Sequence, residues 1–190
     1  MNEKKVFITS DTHFDHARII QYENRPFNSV QEMNEEMIKR WNLKVSNNDT
    51  VFHLGDFCFS NKDRTTEIIS RLNGKKILVM GNHDRSRPVK WYIDCGFNEV
   101  YNYPILYKEF FVLSHEPLTY LKPPFVNLMG HVHQSLNYPT FTTNSVCCCV
   151  ERWNYTPVNF NTILMNLERL QRKMEATLTE FKPVEETNVN

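Results

Sequence analysis

Two short strings far apart in the chain, Asp11-Thr12-His13 and Gly130-His131-Val132-His133, each set potential metal-ligating side chains two residues apart. Between them lie Gly55-Asp56, Gly81-Asn82-His83-Asp84 and a single His115. Carboxylate oxygen, imidazole nitrogen and amide oxygen are the donors that hold ions such as Zn, Fe, Mn or Ni. Taken singly, the pieces are ordinary. The Gly-Asn in ILVMGNHD (77–84) is turn chemistry, and a lone His after a strand is more often a satisfied side chain than a ligand. The ordered series is not ordinary, because each member follows an apolar run and five of the seven histidines fall within it.

The elements that must position these residues are legible from periodicity. VFIT (6–9), TVFHL (50–54), KILVM (76–80), FFVLS (110–114) and VNLM (126–129) read as buried strands. The spans 99–107 and 140–150 read as further strands. Ser29 followed by Glu32 predicts a capping box, and Val30, Met33, Met37, Ile38 and Trp41 then share one helical face. A second helix is predicted over 62–72, closed by Asn73-Gly74, and a third over 159–177. Strands linked through helices gather their ends along one edge, where loops converge polar groups on a point.

Bulk composition limits what such a point serves. With 190 residues, one domain with a substantial core is expected over 1–182, with a frayed tail at 183–190. Lys plus Arg equals Asp plus Glu at 22 each, which argues against a surface built to follow an extended nucleic-acid tract. No segment has the apolar length of a signal peptide or a membrane span. The five cysteines include the run Cys147-Cys148-Cys149, which cannot staple distant loops. They read as small buried groups in a reducing, cytoplasmic compartment.

The series D-x-H, G-D, G-N-H-D, H, G-H-x-H resembles the calcineurin-like metallophosphoesterase superfamily, with its blocks spanning Asp11 to His133. DTHFDHARII, RPF, VFHLGDF and RWNYTPV further resemble a group of small bacterial and phage-type phosphoesterases. The resemblance implies an α/β fold, a four-layer αββα sandwich of two mixed β-sheets flanked by helices. It also implies two divalent metal ions, with Mn first and Fe, Zn or Ni also suited. One ion would take Asp11, His13, Asp56 and His133; the other would take Asp56, Asn82, His115 and His131. Asp56 would bridge them, and His83 would be the catalytic proton donor to the leaving group. The implied reaction is hydrolysis of phosphate esters by a metal-bridging hydroxide.

Other residues carry weaker expectations. His16 is a candidate substrate-phosphate contact, and Arg25 a candidate bidentate phosphate clamp balanced against a solvated loop arginine. Arg85 and Arg87 read as surface charges. His53 reads as a buried brace, and Trp153 and Tyr155 as packing aromatics. Asp84 either orients His83 or finishes the turn. Small nucleotide-type phosphate esters, monoester or diester, are the expected substrates. The rival readings are a nuclease for longer nucleic acid and a non-catalytic metal-binding interaction scaffold. Salt-dependent nucleic-acid binding favours the first rival, and damaged ligand positions favour the second.

Overall fold

The structure, a computed structural model, describes residues 4–180. The domain boundary at 182 and the frayed tail at 183–190 lie outside the described residues. Strands and helices follow in the order β1 (Val6–Thr9), α1 (Ile19–Tyr22), α2 (Val30–Lys44), β2 (Thr50–His53), α3 (Lys62–Arg71), β3 (Lys75–Val79), α4 (Val89–Cys95), β4 (Glu99–Tyr101) and β5 (Ile105–Tyr107). Then come β6 (Phe111–Leu113), β7 (Val126–Met129), β8 (Ser145–Cys147), β9 (Val158–Asn159) and α5 (Phe160–Glu180).

These strands form two mixed sheets. The first has the order β4-β3-β2-β1-β9, parallel from β4 to β1 with β9 antiparallel at the edge. The second has the order β5-β6-β7-β8, parallel except for β5. Parallel strands point their C-terminal ends the same way. Residues just beyond β1, β2 and β3 therefore share one edge, as do those beyond β6 and β7.

Side-chain alternation explains the layering. Phe7, Val51 and Leu78 turn outward onto Met33, Met37, Ile38 and Trp41 of α2, Ile68 and Ile69 of α3, and Tyr92 of α4. Ile8, Phe52, Ile77 and Val79 turn inward onto Leu113, Leu128 and Val146 of the second sheet, joined by Phe160, Ile163 and Leu167 of α5. Burying each such side chain contributes about 1.5–3 kcal/mol, so the frame under the loops is rigid. The two mixed sheets flanked by helices are the architecture that the family resemblance implies.

Local details differ from expectation in instructive ways. Ser29 caps α2, its side chain accepting from the Glu32 N–H at 3.1 Å. Glu32, however, takes the amide and side chain of Asn28 instead of the Ser29 amide, so the reciprocal half of the box is displaced by one residue. Helix α3 ends at Leu72 in an extended conformation, and Gly74 with φ +86° belongs to the turn into β3. The span 99–107 is two strands in different sheets, because the Asn102–Pro104 corner interrupts it and Pro104 has no N–H to pair. Of 140–150 only Ser145–Cys147 is regular strand; beyond it the chain leaves the second sheet, and Cys149 pairs with Ser10.

Candidate metal centre

The loops after β1, β2 and β7 turn sharply at the shared edge. Asp11, His13, Asp56, His131 and His133 have φ of 57°, 49°, 56°, 70° and 44°, in the left-handed region that ordinary side chains avoid. Each such residue costs roughly 1–2 kcal/mol. Five of the eleven non-glycine residues with positive φ among those described belong to this constellation, which points to a job other than stability. Close backbone approach makes two glycines necessary. A Cβ on Gly130 would lie 2.5 Å from Oδ2 of Asp11, and one on Gly55 would lie 2.7 Å from Nδ1 of His115.

The turns are tied down from below. The Asp15 amide donates to Oδ1 of Asn34, a buried residue of α2, at 3.1 Å, and Arg64 of α3 reaches the Asp15 carboxylate at 3.1 Å. Asp84 neither orients His83 nor merely closes its own turn. It is buried, and its carboxylate accepts from the backbone N–H groups of Asp56, Phe57 and Gly81. His53 is buried as expected, its Nε2 2.9 Å from the Thr12 hydroxyl. That hydroxyl in turn donates to the Phe57 carbonyl.

Above this frame the donor atoms converge. Oδ2 of Asp56 lies 3.6 Å from Nε2 of His13, 3.5 Å from Nε2 of His115 and 3.8 Å from Nε2 of His83. Oδ1 of Asp11 lies 3.8 Å from Nε2 of His13 and 3.5 Å from Nε2 of His133. Oδ1 of Asn82 lies 2.9 Å from Nε2 of His115 and 3.0 Å from Nδ1 of His131. Among the described residues, three clusters have donor atoms within 4.8 Å of one another: Asp11/His13/His133, Asp11/Asp56/His115 and Glu23/His133/Glu151.

The hydrogen bonds leave lone pairs facing inward, which is what a cation needs. Nδ1 of His115 is 2.8 Å from the Leu54 carbonyl, so that nitrogen carries the proton and Nε2 the lone pair. Nε2 then faces the Asn82 oxygen as acceptor against acceptor, an arrangement a positive ion between them relieves. Oδ1 of Asp11 and Nε2 of His13 are buried without a hydrogen-bond partner. The residues present therefore fit divalent ions.

The electrostatics agree. Burial pushes the Asp56 carboxyl up to about 7. Burial also acts to raise Asp11, but the nearby His13 imidazole and the fields of His115 and His133 hold it well below the usual carboxylate range. Burial brings the His13 imidazole down to about 4. For His133 burial acts downward as well, yet the Glu151 hydrogen bond and the Asp11 charge leave it raised to about 9.

The remaining expectations divide. His83 stands at the rim with 51% of its side chain exposed, and its backbone N–H donates to Oδ1 of Asp56 at 3.0 Å. His16, half-buried, sets its Nδ1 3.2 Å from Nδ1 of His13 and stacks on Phe59 at 4.1 Å. Arg25 corrects the sequence reading: it is no phosphate clamp. Its side chain is 0% exposed, and its guanidinium donates to Glu151, to the carbonyls of Asp11 and Thr12, and to the Met33 sulfur. With five N–H groups and those five contacts, nothing is left for substrate.

Arg85 pairs with Glu116 at 2.6 Å, and Arg87 lies 4.1 Å from the Trp91 ring centre. Trp153 and Tyr155 pack against Phe141 and Phe27. All five cysteines are buried and free, but Cys149 does more than fill space, since its Sγ donates to Oδ2 of Asp11 at 3.3 Å. Sequence reasoning missed Phe59 and Glu151. The first is an aromatic three residues beyond Asp56, touching His13, His16 and His83. The second is an acid directly after an apolar run, the signal that found the other site residues. A cleft of about 440 Å³ opens beside His131 and His133, with Glu23, Glu116 and Tyr138 in its walls.

Two mixed sheets present Asp, Asn and His donors from five loops, an arrangement suited to holding metal ions. The family model of the calcineurin-like phosphoesterases matches residues 4–154, and the chain belongs to that family. It is 35% identical over 178 residues to an uncharacterized protein of Methanocaldococcus jannaschii, covering 89% of this chain and 94% of that one. It is also 35% identical over 86 residues to the gene 66 protein of Mycobacterium phage L5, covering 44% of this chain and 41% of that protein. A crystal structure of a protein of unknown function from Aquifex aeolicus is similar, with TM-score 0.65 and 25% identity over 85% of this chain and 98% of that one. As a family member with candidate ligand clusters, the chain is a phosphoesterase of the metal-dependent kind. No helix among the described residues is long and apolar enough to cross a membrane.

Proposed function

We propose that this protein hydrolyses small phosphate esters, nucleotide-type first, at a binuclear centre. One ion is assigned to Asp11, His13, Asp56 and His133, and the other to Asp56, Asn82, His115 and His131. The observation that carries the assignment is the position of Asp56, whose Oδ2 lies within 3.6 Å of Nε2 on both His13 and His115. A carboxylate there can serve two cations at the short spacing of binuclear hydrolases, roughly 3.5–4 Å. Bound divalent ions, Mn first, supply Lewis-acid polarisation of the phosphoryl group and water made acidic enough to attack near neutral pH.

The chain's own groups do the rest. Asp56 is held by Asp84 below and by the His83 amide at its other oxygen, so its free oxygen keeps one direction. His83, half-exposed at the rim, donates the proton that the departing oxygen requires. With Nε2 of His13 given to an ion, its Nδ1 would carry the proton and donate to Nδ1 of His16 at 3.2 Å, leaving the other His16 nitrogen protonated and able to donate to a phosphate oxygen. The ring of Phe59 holds that imidazole in place. The balanced overall charge favours compact substrates over extended nucleic acid, and five buried free thiols suit a cytoplasmic setting.

The test compares aryl phosphate monoester and diester hydrolysis by metal-stripped protein refilled with Mn, alongside Asp56→Asn and His83→Ala. Metal-dependent turnover lost in Asp56→Asn supports the centre, and the preferred ester selects a nucleotide screen. Binding of ions without turnover of any ester favours the scaffold. Strongly salt-dependent cleavage of long nucleic acid favours the nuclease.

A further inference from the structure

We infer that Glu151 is the positioning residue for His133, held in place by the buried Arg25. The inference rests on the reading of His133 as a metal ligand. Glu151 sits in a short 3-10 turn over 150–153, with its side chain 1% exposed. One oxygen, Oε1, lies 3.0 Å from Nδ1 of His133, 3.0 Å from Nε of Arg25 and 2.6 Å from Nη2 of Arg25.

A carboxylate accepts only, so Nδ1 of a neutral His133 must carry its proton and point it at Glu151. Nε2 is then left with its lone pair directed at Oδ1 of Asp11, 3.5 Å away. The other Arg25 donors grip the carbonyl of Asp11 at 2.7 Å and that of Thr12 at 2.9 Å. One guanidinium therefore fixes Glu151, and through it His133, relative to the loop that carries Asp11 and His13. Those two loops lie 120 residues apart in sequence, and no continuous element joins them.

Stability alone explains the pair poorly. A buried ion pair often contributes no more than apolar residues of its volume would. Here Oε2 of Glu151 is buried with no hydrogen-bond partner among the described residues. Orientation of a ligating imidazole by a carboxylate is a stronger reason, since losing such a partner typically lowers metal affinity 10–100-fold. Glu23, whose carboxylate also comes within 4.8 Å of this group, is the competing candidate.

The test is calorimetric titration of the metal-free protein with Mn and with Zn. It uses the wild type, Glu151→Gln, Glu151→Asp, Glu23→Gln and the double variant Arg25→Met/Glu151→Leu. Glu151→Gln should weaken one of two ions by about 10–100-fold and leave the other nearly unchanged. Glu151→Asp should recover part of the loss, and Glu23→Gln should bind as wild type. The double variant removes the buried charges together and should fold while keeping the affinity loss. In the zinc-loaded wild type the His133 Nδ1 proton should give a hydrogen-bonded NMR resonance, which moves upfield in the double variant. Two unchanged affinities in folded Glu151→Gln overturn the inference, as does wild-type affinity restored in the double variant. A wild type that takes up no ion removes the binuclear reading and this inference together, whereas unchanged variants beside a two-ion wild type remove this inference alone.

Discussion

The backbone N–H of Asp56 donates to Oδ2 of Asp84 at 2.6 Å, and the next amide, that of Phe57, donates to Oδ1 at 3.1 Å. Asp84 also receives the amide of Gly81 at 2.9 Å. One buried carboxylate thus joins the Gly-Asp turn after β2 to the Gly-Asn-His-Asp turn after β3. It holds Asp56 in a left-handed conformation that the chain would otherwise leave. Burial raises the Asp84 pKa, and the three amides oppose that rise.

Asp84→Asn turns an NH₂ group toward at least one of those amides. An unsatisfied buried donor costs about 1–3 kcal/mol. We expect the unfolding free energy to fall by that amount, read as a lower urea midpoint at unchanged m-value, together with weakened metal uptake. Normal stability with normal metal binding would show that the turn holds itself.

Asp56→Asn and His83→Ala should fail differently. Asp56→Asn should lose metal stoichiometry and activity together. His83→Ala should bind metal as wild type yet lose about 10²–10⁴-fold in kcat on an alkyl phosphate ester. On an activated aryl ester the loss should be much smaller, because that leaving group departs without a proton. Equal losses on both esters would remove His83 from the proton-donor role.

Arg25→Ala separates a brace from a clamp. With Glu151 left charged and buried, the expected cost is about 3–5 kcal/mol of unfolding free energy, read by denaturant titration. A clamp would instead raise KM at unchanged stability. That outcome would contradict the buried position of the guanidinium.

The metal-free protein should be most stable near neutral pH. His133, raised to about 9, adds stability that is full below its unfolded pKa and lost as pH rises through 9. Asp56, raised to about 7, works in the same direction across lower pH. His13 and His53, lowered by burial to about 4 and about 3, work oppositely: their contribution is lost as pH falls below the ordinary imidazole range. His16 and His131 are lowered by burial too, so four imidazoles outweigh the raised carboxylates Asp56 and Asp84 on the acid side, and Tm should peak at roughly pH 6.5–7 in chelator. Saturating Mn should abolish the alkaline decline, because a ligating His133 binds no proton. A Tm that climbs steadily from pH 7 to 9 in chelator would contradict the assignment.

The chain order of apolar runs and polar endings marks β1, β2, β3, β6 and β7, the helices α2, α3 and α5, and the polar clusters that stand at the shared edge. Period-two and period-3.6 burial patterns are local, and residues such as Asp11, Asp56 and His131 lie directly beyond the runs that carry them. Ser29, similarly, announces its helix because a cap bonds only three residues away.

Long-range partnership was not legible. Nothing in the spacing of Arg25 and Glu151, 126 residues apart, says that they meet. Arg25 looked as suited to a phosphate as to solvent because the identity of a side chain does not fix its direction. Asp84 was ambiguous for the same reason, since its partners come from the neighbouring strand's turn as well as its own. The span 99–107 read as a single strand because periodicity continues across the Asn102–Pro104 corner, while hydrogen-bond pairing does not. Sequence determined which groups stand at the edge of the sheets. Tertiary packing decided which of them face the centre and which are bound beneath it, because each buried donor must find its acceptor wherever the fold has placed it.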